Sequence, residues 1–244
     1  MNKTIAVFGA TSAIAKAYCR LQANSSNHLI LVARNDKLLD ETKNDLVARG
    51  AGNVTTHLFD FSHINELDAL TDQVFRNSID IVLIAYGTLP DHEKCKADLG
   101  YALEQHTVNS TSTVLLMGSI ARKMKLQQKG TIAAITSVAG DRGKKSNYYY
   151  GAAKASVSVF LQGLRQELSK TGIHVVNIKP GFVDTPMTEN FKKGFLWAKP
   201  EQIAKGIHCA IEKRKNTVYL PFFWRWIMCI IRSIPESIFK KLEM

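Results

Sequence analysis

In Tyr150-Gly151-Ala152-Ala153-Lys154 a phenol and an amine stand four residues apart. On a helix that spacing puts both on one face. An ammonium there favours the phenolate and lowers the phenol's pKa, which makes a proton donor usable near neutral pH. Three tyrosines run consecutively, Tyr148, Tyr149 and Tyr150. Spacing selects the last, because Ala152 and Ala153 stand where Tyr148 and Tyr149 would need a lysine. Ser137 lies upstream, just past a predicted strand in Ile135-Thr136-Ser137, where a hydroxyl could hydrogen-bond a substrate carbonyl. A Tyr-x-x-x-Lys spacing is common by chance. After a strand-end serine, in a chain that opens on the turn described next, it reads as proton transfer at a carbonyl.

That turn is Phe8-Gly9-Ala10-Thr11-Ser12-Ala13-Ile14-Ala15. A buried strand ends, a glycine and small residues follow, and a helix starts. Small side chains let the backbone approach a pyrophosphate, whose charge is favoured by free N–H groups at a helix N-terminus. With one glycine, a tight turn without ligand remains the other reading. The second strand ends at Leu31-Val32-Ala33-Arg34-Asn35. In a dinucleotide fold this end faces the adenosine ribose, where an acid suits NAD and a base the 2′-phosphate of NADP. Here it is Arg34, with Lys37 one turn on and Asp36 between them. A solvated strand-end charge is the alternative. Asp60 ends the third strand, placed to bond an adenine amino group or to cap a helix.

These residues need elements to hold them. Strands are predicted at Thr4–Phe8, His28–Ala33, Val54–Leu58, Ile79–Ala85, Gly130–Thr136, His174–Lys179 and Thr217–Leu220. All read as mostly apolar runs, as in a parallel sheet buried on both faces. Helices are predicted at Ser12–Ala23, Asp36–Ala48, Ile64–Arg76, Leu99–Lys125, Tyr150–Thr171 and Pro200–Lys213. The alternation implies an α/β fold, a doubly wound Rossmann-type parallel sheet in a single domain over residues 1–220. A C-terminal amphipathic helical tail occupies 221–244.

With 45% hydrophobic and 22% charged residues, the 244-residue chain can bury an ordinary core, which argues against disorder. Its four cysteines, Cys19, Cys95, Cys209 and Cys229, form no C-x-x-C pair, so no metal knuckle or dithiol motif is supported. Scattered thiols and the absence of a signal-type N-terminus suggest a reducing, cytoplasmic setting. The net charge of +11 suits an anionic partner or a solubilising surface. No helix-turn-helix, zinc-finger or RNP-type pattern points to nucleic acid.

The tail breaks the pattern. From Pro221 to Ile231 only Arg225 is charged, over about 11 residues, against the roughly 20 that span a bilayer. An interfacial helix is expected, with Phe223, Trp224 and Trp226 at headgroup depth and Arg225 and Arg232 near lipid phosphates. A helix packed on the body or on a dimer partner is the other reading. Arg142, Lys144 and Lys145 lie between Ser137 and Tyr150 and could pair with a substrate phosphate, or form an exposed basic loop.

Together these motifs resemble the short-chain dehydrogenase/reductase family, over nearly the whole chain. Gly9 matches that family's glycine turn, with Ala13 and Ala15 where it usually has glycine. Ile84-Ala85-Tyr86-Gly87 replaces the common Asn-Asn-Ala-Gly and keeps Gly87. The resemblance implies catalysis by Asn109, Ser137, Tyr150 and Lys154, with Asn109 holding a proton-relay water. It implies NADPH bound by Gly9, Thr11, Ser12, Ala13, Ile14, Arg34, Asp60, Phe61, Ala85, Gly87, Tyr150, Lys154 and the Pro180-Gly181 segment. There the backbone near Val183 and the Thr185 hydroxyl would hold the nicotinamide carboxamide. It also implies a homo-oligomer. The basic-aromatic tail is similar, more narrowly, to that of the decaprenylphosphoryl-2-keto-ribose reductase subfamily. That likeness implies a 2-keto sugar on a polyprenyl phosphate, a flavin oxidase acting in the same epimerisation, and work at the inner face of a membrane in cell-envelope synthesis. A reductase of acyl or small carbonyl substrates and a non-catalytic NADP-binding protein are the competing expectations.

Overall fold

The computed structural model describes residues 2–243. Seven parallel strands form one sheet in the order β3-β2-β1-β4-β5-β6-β7. They are β1 (Thr4–Phe8), β2 (His28–Ala33), β3 (Asn53–Leu58), β4 (Ile81–Ile84), β5 (Gly130–Ile135), β6 (Ile173–Pro180) and β7 (Thr217–Leu220). The helices are α1 (Ala13–Gln22), α2 (Asp36–Ala48), α3 (Leu67–Val74), α4 (His92–Ala97), α5 (Leu99–His106), α6 (Ser112–Gln127), α7 (Tyr148–Glu167), α8 (Pro200–Glu212), α9 (Trp224–Ser233) and α10 (Glu236–Phe239).

Alternation along the strands builds two apolar layers. Ile5 and Val7 of β1 pack with Tyr18 of α1, Leu39 of α2 and Ile207 of α8. Ala6 and Phe8 face the other way, toward Leu70 of α3, Leu116 of α6 and Leu161 of α7. The strand order reverses between β1 and β4, which opens a crevice beyond their carboxyl ends, the usual ligand position in such sheets.

Several sequence expectations need correction. β3 is an edge strand, and Thr55 and Leu58 are exposed rather than sandwiched. The long helix expected over Leu99–Lys125 is broken by a wide turn at Thr107–Thr111, whose i+5 bonding changes the register between α5 and α6. The helix expected from Ile64 is a 3₁₀ turn at Ile64–Glu66 followed by α3. α4 was not expected at all; it is six residues, four of them polar, with Cys95 buried, and it is started by the Asp91 side chain, which accepts the Lys94 N–H. α7 begins at Tyr148 rather than Tyr150.

The tail folds back on the body. Trp224 and Met228 of α9 are buried. The Trp224 indole lies so close over Gly181 that a Cβ built there would sit 1.9 Å from its Nε1. Phe222, Trp226 and Ile230, one helical step of four apart, stay 75, 63 and 68% exposed. The reading of a helix packed on the body holds for the face that carries Trp224 and Met228, and Trp224 is buried rather than at a headgroup surface.

Gly9 fixes the entry to the crevice. Its φ of +83° is left-handed, and an added Cβ would meet Tyr86 backbone nitrogen at 2.5 Å. Gly163 on α7 has ordinary helical backbone and open space around it. Gly9→Ala is expected to lower stability by about 1–3 kcal/mol, from strain and overpacking. Gly163→Ala is expected to raise it by about 0.5–1 kcal/mol. Urea denaturation of the two variants checks both signs.

Candidate active site

Ser137 and Tyr150 come together because two backbones touch. A 3₁₀ turn, Val138–Gly140, follows Ser137 and lies directly on α7. A Cβ at Gly140 would fall 2.7 Å from Ala155 nitrogen, and one at Gly151 would fall 2.8 Å from Ala139 oxygen. Two glycines facing each other allow this approach. The end of β5 is pinned in turn by Thr136, whose hydroxyl donates to Asn177 Oδ1 at 2.7 Å. The Ser137 hydroxyl accepts the Ala139 N–H at 3.1 Å and lies close enough to the Tyr150 phenol to favour its charged form.

The electrostatics differ from the expectation. Burial pushes the Tyr150 phenol up to about 12, and the nearby Ser137 hydroxyl only partly opposes it. Burial also pushes the Lys154 amine down, to about 8. The Lys154 Nζ lies 5.8 Å from the Tyr150 ring centroid. At that distance its attraction for a phenolate is outweighed by the desolvation both groups suffer. Lys154 therefore does not depress the phenol here. Tyr150 is a phenol throughout the neutral range, suited to donate a proton.

Asn109 is buried in the wide turn between α5 and α6. Its Oδ1 accepts the Thr88 N–H at 2.9 Å and its Nδ2 donates to the Thr88 hydroxyl at 2.9 Å. That hydroxyl donates onward to Gln105 Oε1 at 2.5 Å. Asn109 thus clamps the loop leaving β4, a role its resemblance did not include. A water-sized cavity of about 10 Å³ lies between Asn109, Gln105, His106, Tyr149 and Tyr150.

The crevice presents a second group of residues. Ser12 caps α1 by accepting the Ala15 N–H, and the N–H groups of Ala13 and Ile14 hold no partner among the described residues. They point as first-turn donors, beside Thr11. Arg34 is exposed at the end of β2 and forms no ion pair among the described residues. The Asp60 carboxyl accepts the Ser62 N–H at 2.9 Å, an Asx turn rather than a helix cap. Burial raises its pKa, but that bond and the nearby Arg34 charge win and hold it low. Phe61 is buried and stacks face to face on Tyr86, centroids 3.8 Å apart. Ala85 and Gly87 follow β4, and a Cβ on Gly87 would meet Lys154 Nζ at 3.2 Å. Pro180 ends β6, Val183 bridges to Ala198, and Thr185 caps the next turn. All the expected residues thus line one edge of the sheet. Tyr86, Thr88 and Gly140 were missed, and Trp224, expected at headgroup depth, is buried over Gly181 instead. Only Tyr86 left a signal, an aromatic where the family pattern has alanine.

The basic loop is not free for a phosphate. Arg142 is engaged with the tail: its Nη1 donates to Ile231 oxygen at 2.6 Å. Lys145 pairs with Glu243. Lys144 alone has no ion pair among the described residues, and burial pushes its amine pKa down.

The profile of the family described as short chain dehydrogenase matches residues 3–194. An uncharacterized oxidoreductase from the mprA 5′ region of Streptomyces coelicolor is 31% identical over 98% of this chain and 96% of its own length. One from Mycobacterium tuberculosis (strain CDC 1551 / Oshkosh) is 29% identical over the same shares, 98% and 96%. Among solved structures, a short-chain dehydrogenase from Sphingobium yanoikuyae in complex with NADPH superposes with a TM-score of 0.83. It is 22% identical and covers 96% of this chain and 97% of that one. A variant of actinorhodin polyketide ketoreductase with NADPH gives 0.80 at 20% identity, over 91% and 97%. At these identities the structures establish the shared fold.

The buried amine makes a stability prediction. Below about pH 8 Lys154 is charged in both states, and folding bears its desolvation. Between there and the unfolded value of about 10.4, the native amine is neutral while the unfolded chain still binds the proton. Stability therefore rises with pH across that window. Lys154→Met is expected to be more stable than wild type at pH 7, by about 1–3 kcal/mol. The gap should narrow above pH 8, as urea denaturation at stepped pH would read.

Proposed function

This chain belongs to the short-chain dehydrogenase family, and on that premise we propose that it is an NADPH-dependent reductase of a keto group. The observation that carries the reading is Ser137 brought beside a Tyr150 phenol by the Gly140–Gly151 approach, the phenol kept protonated by burial and one turn from Lys154. The cradle fits a dinucleotide phosphate. The left-handed Gly9 leaves no room for a side chain, and the open N–H groups of Ala13 and Ile14 start α1. Arg34 would meet the 2′-phosphate, Asp60, Phe61, Ala85 and Gly87 the adenosine side, and Val183 and Thr185 the carboxamide. When bound, the cofactor supplies hydride to the keto carbon.

The chain's own groups do the rest. Ser137 holds the carbonyl oxygen by a hydrogen bond. Tyr150 gives its phenolic proton to that oxygen as charge develops there, leaving a hydroxyl product. The Lys154 ammonium stands beside the resulting phenolate and favours it. Asn109 keeps the Thr88 loop, and with it the site's rear wall, in place.

Tyr150→Phe is expected to lower kcat by about 10²-fold or more with NADPH binding retained, measured by turnover and by fluorescence titration. Wild-type reduction is expected to fall as pH rises through about 8, where Lys154 loses its proton. Arg34→Ala is expected to narrow the NADPH over NADH preference by about 10-fold or more, the value of one charge-assisted contact. Equal loss in Tyr149→Phe with Tyr150→Phe active would refute the assignment.

The finer reading is a substrate carried on lipid, a 2-keto sugar on a polyprenyl phosphate, as in decaprenylphosphoryl-2-keto-ribose reductase, supplied by a flavin oxidase at the inner membrane face. What supports it is an apolar rim. Ring contacts run from Phe191 through Trp197 and Phe182 to Trp224 and on to Phe223 and Phe222. Phe195 is 94% exposed beside them in sequence. Arg225, Arg232, Lys240 and Lys241 supply exposed charge on the same tail. Among the described residues no helix is long and apolar enough to cross a membrane. Exposed Leu99, Leu103, Leu115 and Val159 on α5 to α7 support a homo-oligomer.

Full-length protein is expected to sediment with anionic vesicles at low salt, and less as salt screens the basic residues. Replacing Trp226 and Ile230 together by Ser should abolish sedimentation and spare turnover of a small ketone, because both side chains face away from the body. Failure of the wild type to sediment would leave a reductase of small carbonyl compounds.

A further inference from the structure

We propose that Arg142 is a positioning residue for the Ser137–Tyr150 pair, and that the C-terminal helix is thereby part of the active-site frame. This rests on the reductase reading and goes beyond it. The connection between Ser137 and Tyr150 carries Asp141 and Arg142 side by side, and they bind in different directions. Asp141 takes the Lys179 ammonium of β6 in an ion pair and accepts the Tyr219 hydroxyl of β7 at 2.7 Å. Its backbone N–H closes the turn after Ser137, donating to Val138 oxygen at 3.1 Å.

Arg142 reaches the tail. Its Nη1 donates to the oxygens of Ile231 and Ile234, both at 2.6 Å. These are carbonyls at the end of α9, which the helix leaves without internal partners. Its Nη2 pairs with Glu236 Oε2 at 2.9 Å, and its guanidinium centre lies 3.6 Å from the Phe239 ring centroid. A fixed fork of donors fits such a set; a lysine ammonium does not. A cation at a helix C-terminus is also favoured by the aligned peptide dipoles.

The consequence lies in the turn. Val138–Gly140 meets α7 backbone to backbone, at Gly140 and Gly151. Beyond Arg142 comes Gly143, with nothing near its Cβ position. Asp141 and Arg142 clamp the end of the turn, one to the sheet and one to the tail. Lys145 adds an exposed pair to Glu243 of the same tail, so if the tail lets go, the connection keeps only its hold on the sheet and Ser137 drifts from the Tyr150 phenol.

Amide exchange over 138–147, kcat and KM for a ketone, and NADPH affinity by fluorescence are to be compared in the full chain, Arg142→Ala, Arg142→Lys and Phe239→Ala. Arg142→Ala is expected to speed exchange over 138–147 by about 10-fold or more, as local opening becomes easier. It should lower kcat by about 10- to 100-fold through misplacement of Ser137, with KM and NADPH affinity changed less than about 3-fold. Arg142→Lys should fail to restore kcat, and Phe239→Ala, which only trims the contact, should move both readouts part of the way. Unchanged exchange and unchanged kcat in a folded Arg142→Ala protein would overturn the proposal and reduce Arg142 to an anchor for the tail. A wild type that reduces no ketone would defeat the reductase reading instead, while exchange would still decide the clamp.

Discussion

The site depends on one close approach between backbones. Gly140 and Gly151 let the turn after β5 lie on the first turns of α7 at a separation that a single methyl would prevent. Everything catalytic is measured from that contact. It brings the strand-end Ser137 to the helix-borne Tyr150, and it sets which of three consecutive tyrosines meets the serine. Tyr148 and Tyr149 instead stack on each other, and His92 lies edge-on to both. The glycine within the Tyr-x-x-x-Lys segment is a spacer for that contact as much as a helix residue.

Burial then sets the chemistry. Placing a phenol and an amine in the same dry crevice disfavours the charged form of each, so the phenol titrates late and the amine early. A tyrosine held as phenol is a standing acid, and a lysine near 8 is still mostly an ammonium at neutral pH. The desolvation borne by Lys154 is a case of a site kept at the expense of stability. Asn109 works in the same spirit, since its buried amide uses both ends on Thr88 rather than leaving a polar atom unpaired.

The tail joins these features to the surface. One face of α9 buries Met228 and lays Trp224 over Gly181, and the opposite face leaves Trp226 and Ile230 in solvent, with Phe222 exposed just before the helix. Arg142 takes the carbonyls at the helix end, so the segment that carries the exposed apolar stripe also touches the catalytic connection. Charge that looked available for a ligand in the linear sequence is spent internally.

Local pattern was enough for much of this protein. The runs of Ile, Val and Leu between helical stretches gave the parallel α/β class, since a strand buried on both faces must be apolar throughout. The four-residue spacing of Tyr150 and Lys154, the Gly9 turn and Arg34 at the end of β2 are short-range signals, and all fall on one edge of the sheet. What the sequence could not carry was decided by atoms far apart in the chain. The edge position of β3, the break at Thr107–Thr111 and the grip of Arg142 on Ile231 and Ile234 depend on which elements become neighbours. The direction of the Tyr150 shift was decided the same way. Spacing shows that a lysine is near, but only the folded crevice shows that the loss of water outweighs its charge.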